Sequence, residues 1–243
     1  MASRSQTMKR QWEPKRQWEP DAKVRDWIVV NEEVHIPTSV VDFKSFNEWC
    51  RSDRYPERAS VFWIGGMIWI ESMPDRPAQN FVRQEFARCL DNLARESGDG
   101  VVFAERVRLT VDRESFSIEP ELMYVSTERV KNGRVRIHTN KKGQIYEVEG
   151  PPDMILETVG DASSSKDDRL EKMYFASGVD ELWRIDARGE QVKFDVLRRG
   201  PKGFVATPRR SGRVKSGVFG RTFELLAKTG PIGIQEFTLE VSE

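Results

Sequence analysis

Residues 151–186 constrain the fold of this 243-residue chain more than any other segment. Their sequence, PPDMILETVGDASSSKDDRLEKMYFASGVDELWRID, predicts a strand, a turn rich in Ser and Asp, a charged helix and a second strand. Residues 154–156 and Val159 form an apolar run, which is typical of a strand covered on both faces of a sheet. Glu157 interrupts that run. Because a carboxylate in a buried strand is costly unless it is paired, hydrogen-bonded or bound to a metal, Glu157 is the first candidate for chemistry.

Composition limits the class of protein. Hydrophobic residues make up 38% of the chain, which is enough for one domain with a tail, or for two small domains. Lys plus Arg and Asp plus Glu both total 39, so overall charge neither favours nor excludes a polyanionic partner. Residues 188–228 are locally basic, with eleven Lys or Arg against three acids and a net charge of +8. That excess fits a phosphate-binding surface and an ordinary solvated surface equally well.

The few Cys and His residues exclude several kinds of site. Cys50 and Cys89 are lone thiols, which predicts buried, reduced side chains and no disulfide framework or zinc site. His35 and His138 are isolated, so a His-rich metal site and a Ser-His-Asp triad both lack parts. No apolar run approaches the roughly 20 residues that cross a bilayer, and the start of the chain lacks a signal-peptide core. We therefore expect a soluble cytoplasmic protein that does not enter a membrane.

The start of the chain differs from the rest. Residues 1–21 are expected to form a disordered tail, because they are polar, contain proline and repeat KRQWEP at 9–14 and 15–20. Residues 22–243 are expected to form one domain. We assign no function to the repeat.

Helical and strand patterns alternate along this domain, which indicates an α/β fold around a mostly mixed sheet. Gly65 and Gly66 separate two apolar runs, a pattern typical of a two-residue hairpin. Helices are predicted over 42–51, from Pro77 to a stop at Gly98, and over 167–177; strands are predicted over 61–64, 67–70, 101–104, 107–111, 118–125, 135–138, 145–148, 154–159, 182–185 and 192–197.

Two acids on predicted strands, Glu121 and Glu157, form the candidate metal site. A strand over 118–125 would place Glu119 and Glu121 on one face, and the other strand would place Glu157 on the face of Ile155. Hard cations such as Mg²⁺ commonly use one or two carboxylates together with water and substrate phosphate. Such a metal would stabilise a phosphodiester transition state and lower the pKa of a bound water. A Glu157 paired with an arginine inside the core would fit the same sequence.

Three further residues are candidates for the site. Lys166 and Lys172 follow Glu157 and could supply positive charge at a developing anion. Lys172 also lies four residues after Asp168, which is typical of an ordinary ion pair on a helix surface. Glu85 lies beside the buried stripe of the helix that starts at Pro77, and it either reaches solvent or points into a site.

Five motifs, taken in order, resemble the Uma-type family of restriction endonucleases, which is part of the wider PD-(D/E)xK nuclease superfamily. The resemblance covers most of residues 42–241. Its parts are the hairpin WIGGMIWIESMP, the strands EPELMYV and PPDMILE, the segment SGVDELWRID and the closing VKSGVFGRTFEL.

The resemblance implies a restriction-endonuclease-like core, in which a mixed β-sheet with an N-terminal β-hairpin is flanked by helices. It also implies Mg²⁺ or Mn²⁺ held by Glu121, Glu157 and the backbone carbonyl of Thr158. Glu121 stands where the family has aspartate. Val159 stands at the lysine position of a simple E-x-K motif, and Gln79 stands where a histidine is common.

The family commonly moves the active-site lysine to the following helix. Placing the lysine four residues after Asp168 selects Lys172. Placing it by its distance before Tyr174 and Gly178 selects Leu170 instead, which leaves Lys166 as the nearest cation. Glu85 would bind a second metal or position water. Both lysine assignments stay open at the level of sequence.

The activity implied by the resemblance is metal-dependent hydrolysis of phosphodiester bonds in DNA, with the basic residues 188–228 holding the DNA backbone. A homodimer is compatible with it, because many nucleases of this fold cut as dimers. The alternative is a catalytically inactive descendant that binds DNA or protein. The glutamate at position 121 and the displaced lysine favour that alternative.

Overall fold

The computed structural model describes seven stretches of the chain, namely residues 27–31, 34–56, 59–71, 77–104, 107–159, 164–187 and 192–243. The predicted tail with its KRQWEP repeat lies outside these ranges.

Helices occur where the sequence predicts them, and a short additional one follows a strand. Within the described ranges they are α1 (Phe43–Cys50), α2 (Pro77–Ser97), α3 (Thr127–Lys131) and α4 (Ser164–Ser177). The first begins with a capping box, because the Asp42 carboxylate accepts from the Ser45 backbone N–H at 2.8 Å while the Ser45 hydroxyl accepts from the Asp42 N–H. The helix after residue 163 starts three residues earlier than the predicted 167.

Strands make up most of the remaining structure. In the described ranges they are β1 (Trp27–Val30), β2 (Val34–Pro37), β3 (Ser60–Ile64), β4 (Met67–Glu71), β5 (Gly100–Ala104), β6 (Arg108–Val111), β7 (Phe116–Ile118), β8 (Leu122–Ser126), β9 (Arg136–Thr139), β10 (Ile145–Glu149), β11 (Met154–Thr158), β12 (Glu181–Asp186), β13 (Lys193–Arg199), β14 (Phe204–Ala206), β15 (Arg209–Arg210), β16 (Arg213–Lys215), β17 (Thr222–Thr229) and β18 (Gln235–Ser242).

Two six-stranded sheets dominate the architecture. The hairpin sheet has the order β4-β3-β7-β6-β10-β9, and the central sheet has the order β14-β13-β12-β11-β8-β5. In the central sheet β11 runs parallel to β12 and antiparallel to β8, so the sheet is mixed, as predicted. Two smaller sheets pair β1 with β2 and join β15-β16-β17-β18.

The predicted hairpin at Gly65 and Gly66 is confirmed. It joins β3 to β4 with Ile64 opposite Met67. Both glycines have positive φ, 59° and 77°, which a two-residue type I′ turn requires and which other residues adopt with strain.

The prediction of one strand over residues 118–125 is wrong. The chain forms β7 in the hairpin sheet, crosses through residues 119–121, and then forms β8 in the central sheet. Pro120 lies in the crossing, where it has no backbone N–H to donate to a sheet ladder. Glu119 and Glu121 therefore do not share a strand face. Glu119 instead pairs with Arg108, at 2.6 Å between Oε1 and Nη2.

Both faces of the central sheet are covered. Leu156 and Trp183 pack on one side with Phe86 of α2, and the β17–β18 hairpin adds to that cluster. Ile155 packs on the other side with Tyr174 of α4 and with the hairpin sheet. Because side chains alternate along a strand, Glu157 shares the face of Ile155. No helix in the described ranges is long and apolar enough to span a bilayer.

A buried arginine fixes the start of β11. Arg129 donates through Nη1 to the carbonyls of Pro151 and Pro152, at 2.6 and 2.9 Å, and its Nε lies 3.1 Å from Asp153 Oδ1. Asp153 also accepts from the Ser126 backbone N–H at 2.7 Å. The aspartate of the PPD motif thus holds the strand in register with β8.

A buried carboxylate fixes the segment after β16. Glu181, which is 3% exposed, accepts from the Ser216 hydroxyl at 2.6 Å and the Gly217 N–H at 2.5 Å. It also accepts from the indole of Trp183 at 3.0 Å. These donors compensate the cost of burying the charge and tie the closing motif to β12.

Candidate active site

Glu157 lies at the end of β11 and faces α4. The phenol of Tyr174 donates a hydrogen bond to Glu157 Oε1. Tyr174 is completely buried, and its ring packs edge-to-face on Phe116 with centroids 5.4 Å apart. A rigid donor from the helix therefore fixes the carboxylate at the end of the strand.

Glu121 reaches the same end of the central sheet from the crossing before β8. The Thr158 hydroxyl donates to Glu121 Oε1 at 2.5 Å, and Leu122 pairs with Leu156 in the sheet. The two acids that the sequence selects are thus brought to adjacent strand ends. The described contact of Thr158 is through its side chain, and the proposed role of its carbonyl as a ligand stays a prediction.

The charge of Glu121 perturbs Glu157 electrostatically. Burial and the neighbouring negative charge of Glu121 raise the pKa of Glu157 to about 8, although the Tyr174 hydrogen bond and the charge of Lys166 act in the opposite direction. Burial, followed by the charge of Glu157, raises the pKa of Tyr174 well above its ordinary value. At this end of the sheet a cation would relieve the repulsion between the carboxylates.

Of the two candidate lysines, the structure brings Lys166 to the site. Its Nζ lies 2.8 Å from Glu71 Oε1 and 4.9 Å from the ring centroid of Phe62. Its charge reaches Glu157, since it lowers the pKa of that carboxyl. Lys172 is exposed on the outer side of α4, and no contact between described residues joins it to Glu157.

Sequence reasoning missed Glu71 and the contact made by Gln79. Glu71 ends β4, and its negative charge raises the pKa of Glu157. Gln79 is buried and donates through Nε2 to the Val159 carbonyl at 3.3 Å. The only available signal was their position flanking the M-x-P end of the hairpin motif, which gives no contact by itself.

Glu85 contacts a different part of the molecule. Its carboxylate pairs with Arg88 at 2.7 Å and accepts from the Leu239 backbone N–H at 2.9 Å. These contacts connect α2 to β18, on the side of the central sheet away from Glu157. The structure therefore does not bring Glu85 together with the two strand acids.

The open alternative, an arginine partner for Glu157, has a specific candidate in Arg184. The two residues are opposite each other on β11 and β12, and together with Glu171 they line a small cavity of about 20 Å³. The guanidinium of Arg184 turns to Glu171, at 2.6 Å between Nη2 and Oε2. Among the described hydrogen bonds, Glu157 is held by Tyr174, so an arginine pair does not explain its burial.

A larger cavity lies near α1, away from these residues. It has a volume of about 290 Å³ and is lined by Arg51, Tyr55, Arg108, Glu119 and Glu147 among others. Its charged groups pair with one another, Arg108 with Glu119 and Arg51 with Glu147 at 2.6 and 2.7 Å. Because the charged lining residues that the structure describes are paired with one another, we assign this cavity no site.

Comparison with known proteins identifies the family. The family model Uma2, described as "Putative restriction endonuclease", matches residues 43–215, more than two thirds of the chain. The chain belongs to the Uma2 family. No curated protein matches the sequence.

A solved structure supports the fold of this Uma2 protein. The crystal structure of a putative nuclease belonging to DUF820 from Anabaena variabilis ATCC 29413 is similar, with a TM-score of 0.55 and 18% sequence identity. The similarity covers 74% of this chain and 91% of the other. The predicted nuclease-like α/β architecture is confirmed.

The donor set of the Uma2 site suits a hard divalent cation. Within the described ranges, no three His, Cys, Asp or Glu side chains cluster as a complete metal site. Two carboxylates, Glu121 and Glu157, are nevertheless close enough for one to raise the pKa of the other. Mg²⁺ commonly takes one or two carboxylates and completes its shell with water and substrate phosphate. The residues present therefore fit such an ion.

Four of the eleven cations in the basic residues 188–228 form ion pairs in the described part of the chain. Ion pairs join Arg209 to Asp195, Arg213 to Glu224, Arg221 to Glu243 and Lys228 to Glu236, with N–O distances of 3.2, 2.9, 3.5 and 3.3 Å. Two of these four acids, Glu236 and Glu243, lie beyond residue 228. Exposed ion pairs of this kind are typical of a solvated protein surface.

Proposed function

We propose that this Uma2 protein is an endonuclease that hydrolyses phosphodiester bonds in DNA with the help of Mg²⁺ or Mn²⁺ held by Glu121 and Glu157. The observation that carries the proposal is the hydrogen bond of Glu121 to Thr158, which follows Glu157 on β11, together with the charges of Glu121 and Lys166 that both act on Glu157. The family match and the similar fold of the putative nuclease from Anabaena variabilis support it.

Each side chain of the site has a distinct role in this proposal. Tyr174 orients Glu157, and Thr158 orients Glu121, so that both carboxylates are fixed before substrate arrives. Lys166 holds positive charge where the phosphate becomes more anionic. A bound divalent metal would supply an activated water and stabilise the transition-state charge. Glu71 holds the lysine in place through their ion pair.

The test is nicking of supercoiled plasmid by purified protein with Mg²⁺ or Mn²⁺. Wild-type protein should convert the plasmid to the open circular form, EDTA should stop the reaction, and Glu157→Ala should abolish it. Glu96→Ala removes an exposed acid near the end of α2 and is the matched control. Equal nicking by Glu157→Ala and wild type would show that a contaminating nuclease is responsible.

The catalytically inactive alternative makes a different prediction. It is favoured by the incomplete acid cluster in the described ranges and by the apolar Val159. A binding module without a metal site should show no rise in melting temperature with Mg²⁺ or Mn²⁺, whereas a site-bound ion stabilises the native state by mass action. A metal-dependent rise that Glu121→Ala removes would contradict this alternative.

A homodimer stays a prediction, as does the DNA substrate itself. Sedimentation of the purified protein with and without a DNA duplex measures the stoichiometry directly. A soluble monomer that nicks plasmid would remove the dimer from the proposal without affecting the site.

A further inference from the structure

A second basic segment lies outside the stretch that the charge count selected. Residues 127–144 contain six Lys or Arg and one acid, Glu128, for a net charge of +5. They span α3, β9 and the turn that leads into β10. This density of positive charge equals or exceeds that of residues 188–228.

Five of the six cations in this segment are exposed, whereas Arg129 is buried and pairs with Asp153. Arg134, Arg136, Lys141 and Lys142, which we call the basic hairpin, are all exposed. Arg136 lies 3.4 Å from Glu149, and in the described part of the chain no acid is within ion-pair distance of the other three. In residues 188–228, four of the eleven arginines and lysines form ion pairs with acids of the described chain.

Edge protection accounts for only part of this charge. β9 is the last strand of the hairpin sheet, and cations on an edge strand discourage pairing with another chain. The last pair of the hairpin ladder joins Thr139 to Ile145, and Lys141 and Lys142 lie in the turn beyond it. No ladder remains there to protect.

The turn holds these lysines in a defined position. Asn140 Oδ1 accepts from the backbone N–H of Lys142 at 2.9 Å and of Gln144 at 3.0 Å. Asn140 N–H also donates to the Gln144 carbonyl at 2.9 Å, and Gly143 takes a positive φ of 76°. The two lysine side chains are not needed for this backbone structure.

Strand register places the turn at the same end of the hairpin sheet as the active-site crossing. Glu147 of β10 pairs with Arg108 of β6, and Arg108 in turn bonds to Glu119 at 2.6 Å, just after β7 ends. The turn extends beyond this level, past the end where the chain leaves β7 for Glu121. A duplex at the candidate site would meet a positively charged projection on this side.

We propose that the basic hairpin binds the phosphate backbone of double-stranded DNA and holds it against the active-site end of the sheet. The inference rests on the proposed function for its substrate, but it concerns binding and not chemistry. Phosphate contacts by Lys and Arg position a protein on a duplex without reading sequence. Each such contact releases counterions, so its loss reduces the salt dependence of binding.

The experiment measures binding of a short fluorescent DNA duplex by anisotropy, in EDTA so that no cleavage occurs, over a series of salt concentrations. The double variant Lys141→Gln with Lys142→Gln should weaken binding at low salt about tenfold. It should also make the negative slope of log K against log salt less steep by about 2. The control, Lys202→Gln with Lys215→Gln, removes two exposed lysines from the C-terminal stretch and should change neither quantity. Melting temperatures establish that both double variants fold. The single Lys141→Gln variant should make the slope less steep by about 1.

The outcomes separate this inference from the nuclease proposal. Two results would contradict the proposal that the basic hairpin binds DNA: an equal loss of affinity in both double variants, or wild-type affinity in the Lys141→Gln, Lys142→Gln variant. Wild-type protein that binds no duplex at low salt would overturn it as well. If the Lys141→Gln, Lys142→Gln variant loses affinity as expected while wild-type protein nicks no plasmid, DNA binding by the basic hairpin is supported and the nuclease proposal is contradicted.

Discussion

The phenol of Tyr174 and the carboxylate of Glu157 form a hydrogen bond that joins α4 to the end of β11. The bond favours the charged carboxylate, in opposition to burial and to the charge of Glu121. The helix therefore contributes to the readiness of the acid to bind a cation, and not only to the packing of the core.

Tyr174→Phe should weaken metal binding while the fold is retained. The ring keeps its contact with Phe116, but loss of the hydroxyl raises the pKa of Glu157 further and releases the carboxylate. The concentration of Mg²⁺ that gives half of the full rise in melting temperature should increase about tenfold. Tyr124→Phe, a buried tyrosine on β8, is the control and should leave that concentration unchanged.

Glu157→Gln should stabilise the metal-free protein at high pH. The pKa of Glu157 is raised from 4.5 to about 8, so the native state binds the proton more tightly than the unfolded state. Stability contributed by this group is then complete at low pH and is lost as the pH rises through this interval. In EDTA the variant should melt above wild type at about pH 8.5 and level with it near pH 4.5.

The exposed Glu128 provides the comparison for that measurement. Glu128→Gln should follow the wild-type melting curve across the same pH range. A Glu157→Gln profile parallel to wild type would contradict the raised pKa.

Lys166 and Lys172 should differ in their effect on nicking. Lys166→Ala removes the cation next to Glu71 and Glu157 and should slow nicking by about 100-fold, as expected for loss of one group that stabilises the transition state. Lys172→Ala changes an exposed side chain and should retain most of the rate. The opposite ranking in a plasmid assay would return the catalytic role to Lys172.

Glu85→Gln should affect stability and not the chemistry. The substitution weakens a charge-assisted bond to the Leu239 N–H and the pair with Arg88, so the free energy of unfolding should fall by about 1 kcal/mol. Urea denaturation measures that change. A rate of nicking per folded molecule that drops with Glu85→Gln, at unchanged stability, would place this acid in the site after all.

Glu181→Gln should be among the most destabilising changes in the described part of the chain. An amide cannot accept from the Ser216 hydroxyl, the Gly217 N–H and the Trp183 indole together. We expect a loss of about 2–3 kcal/mol in the free energy of unfolding. A loss smaller than that of Glu85→Gln would show that the closing segment does not depend on this carboxylate.

Local signals predicted the elements well because their causes are local. Gly65 and Gly66 specify the turn, and Pro77 and Gly98 bound a helix whose apolar stripe repeats along one face. Pro120 is a comparable local signal for a break in a strand. The sequence of residues 118–125 nevertheless did not indicate that β7 and β8 would join different sheets. That choice depends on partners such as β3 and β11, which lie far away in sequence.

For the same reason, only part of the candidate site could be predicted from the sequence. Glu121 and Glu157 stand out because acids in apolar strands are expensive. The choice between the two lysines depended on Glu71 and Phe62, which helix spacing alone does not reveal. The partner of Glu85 lies on β18, at Leu239. The boundary of the domain at residue 22, its cytoplasmic location and the chosen metal stay predictions.

The three-residue passage from β7 to β8 limits the changes in length that this chain can accept. Glu119 is fastened to Arg108 in one sheet, and Glu121, two residues later, meets Thr158 in the other. Because this linker is short, an insertion or deletion near Pro120 would move Glu121 away from Thr158 or Glu119 away from Arg108. The length of residues 119–121, and not only their identity, therefore sets where Glu121 lies relative to β11.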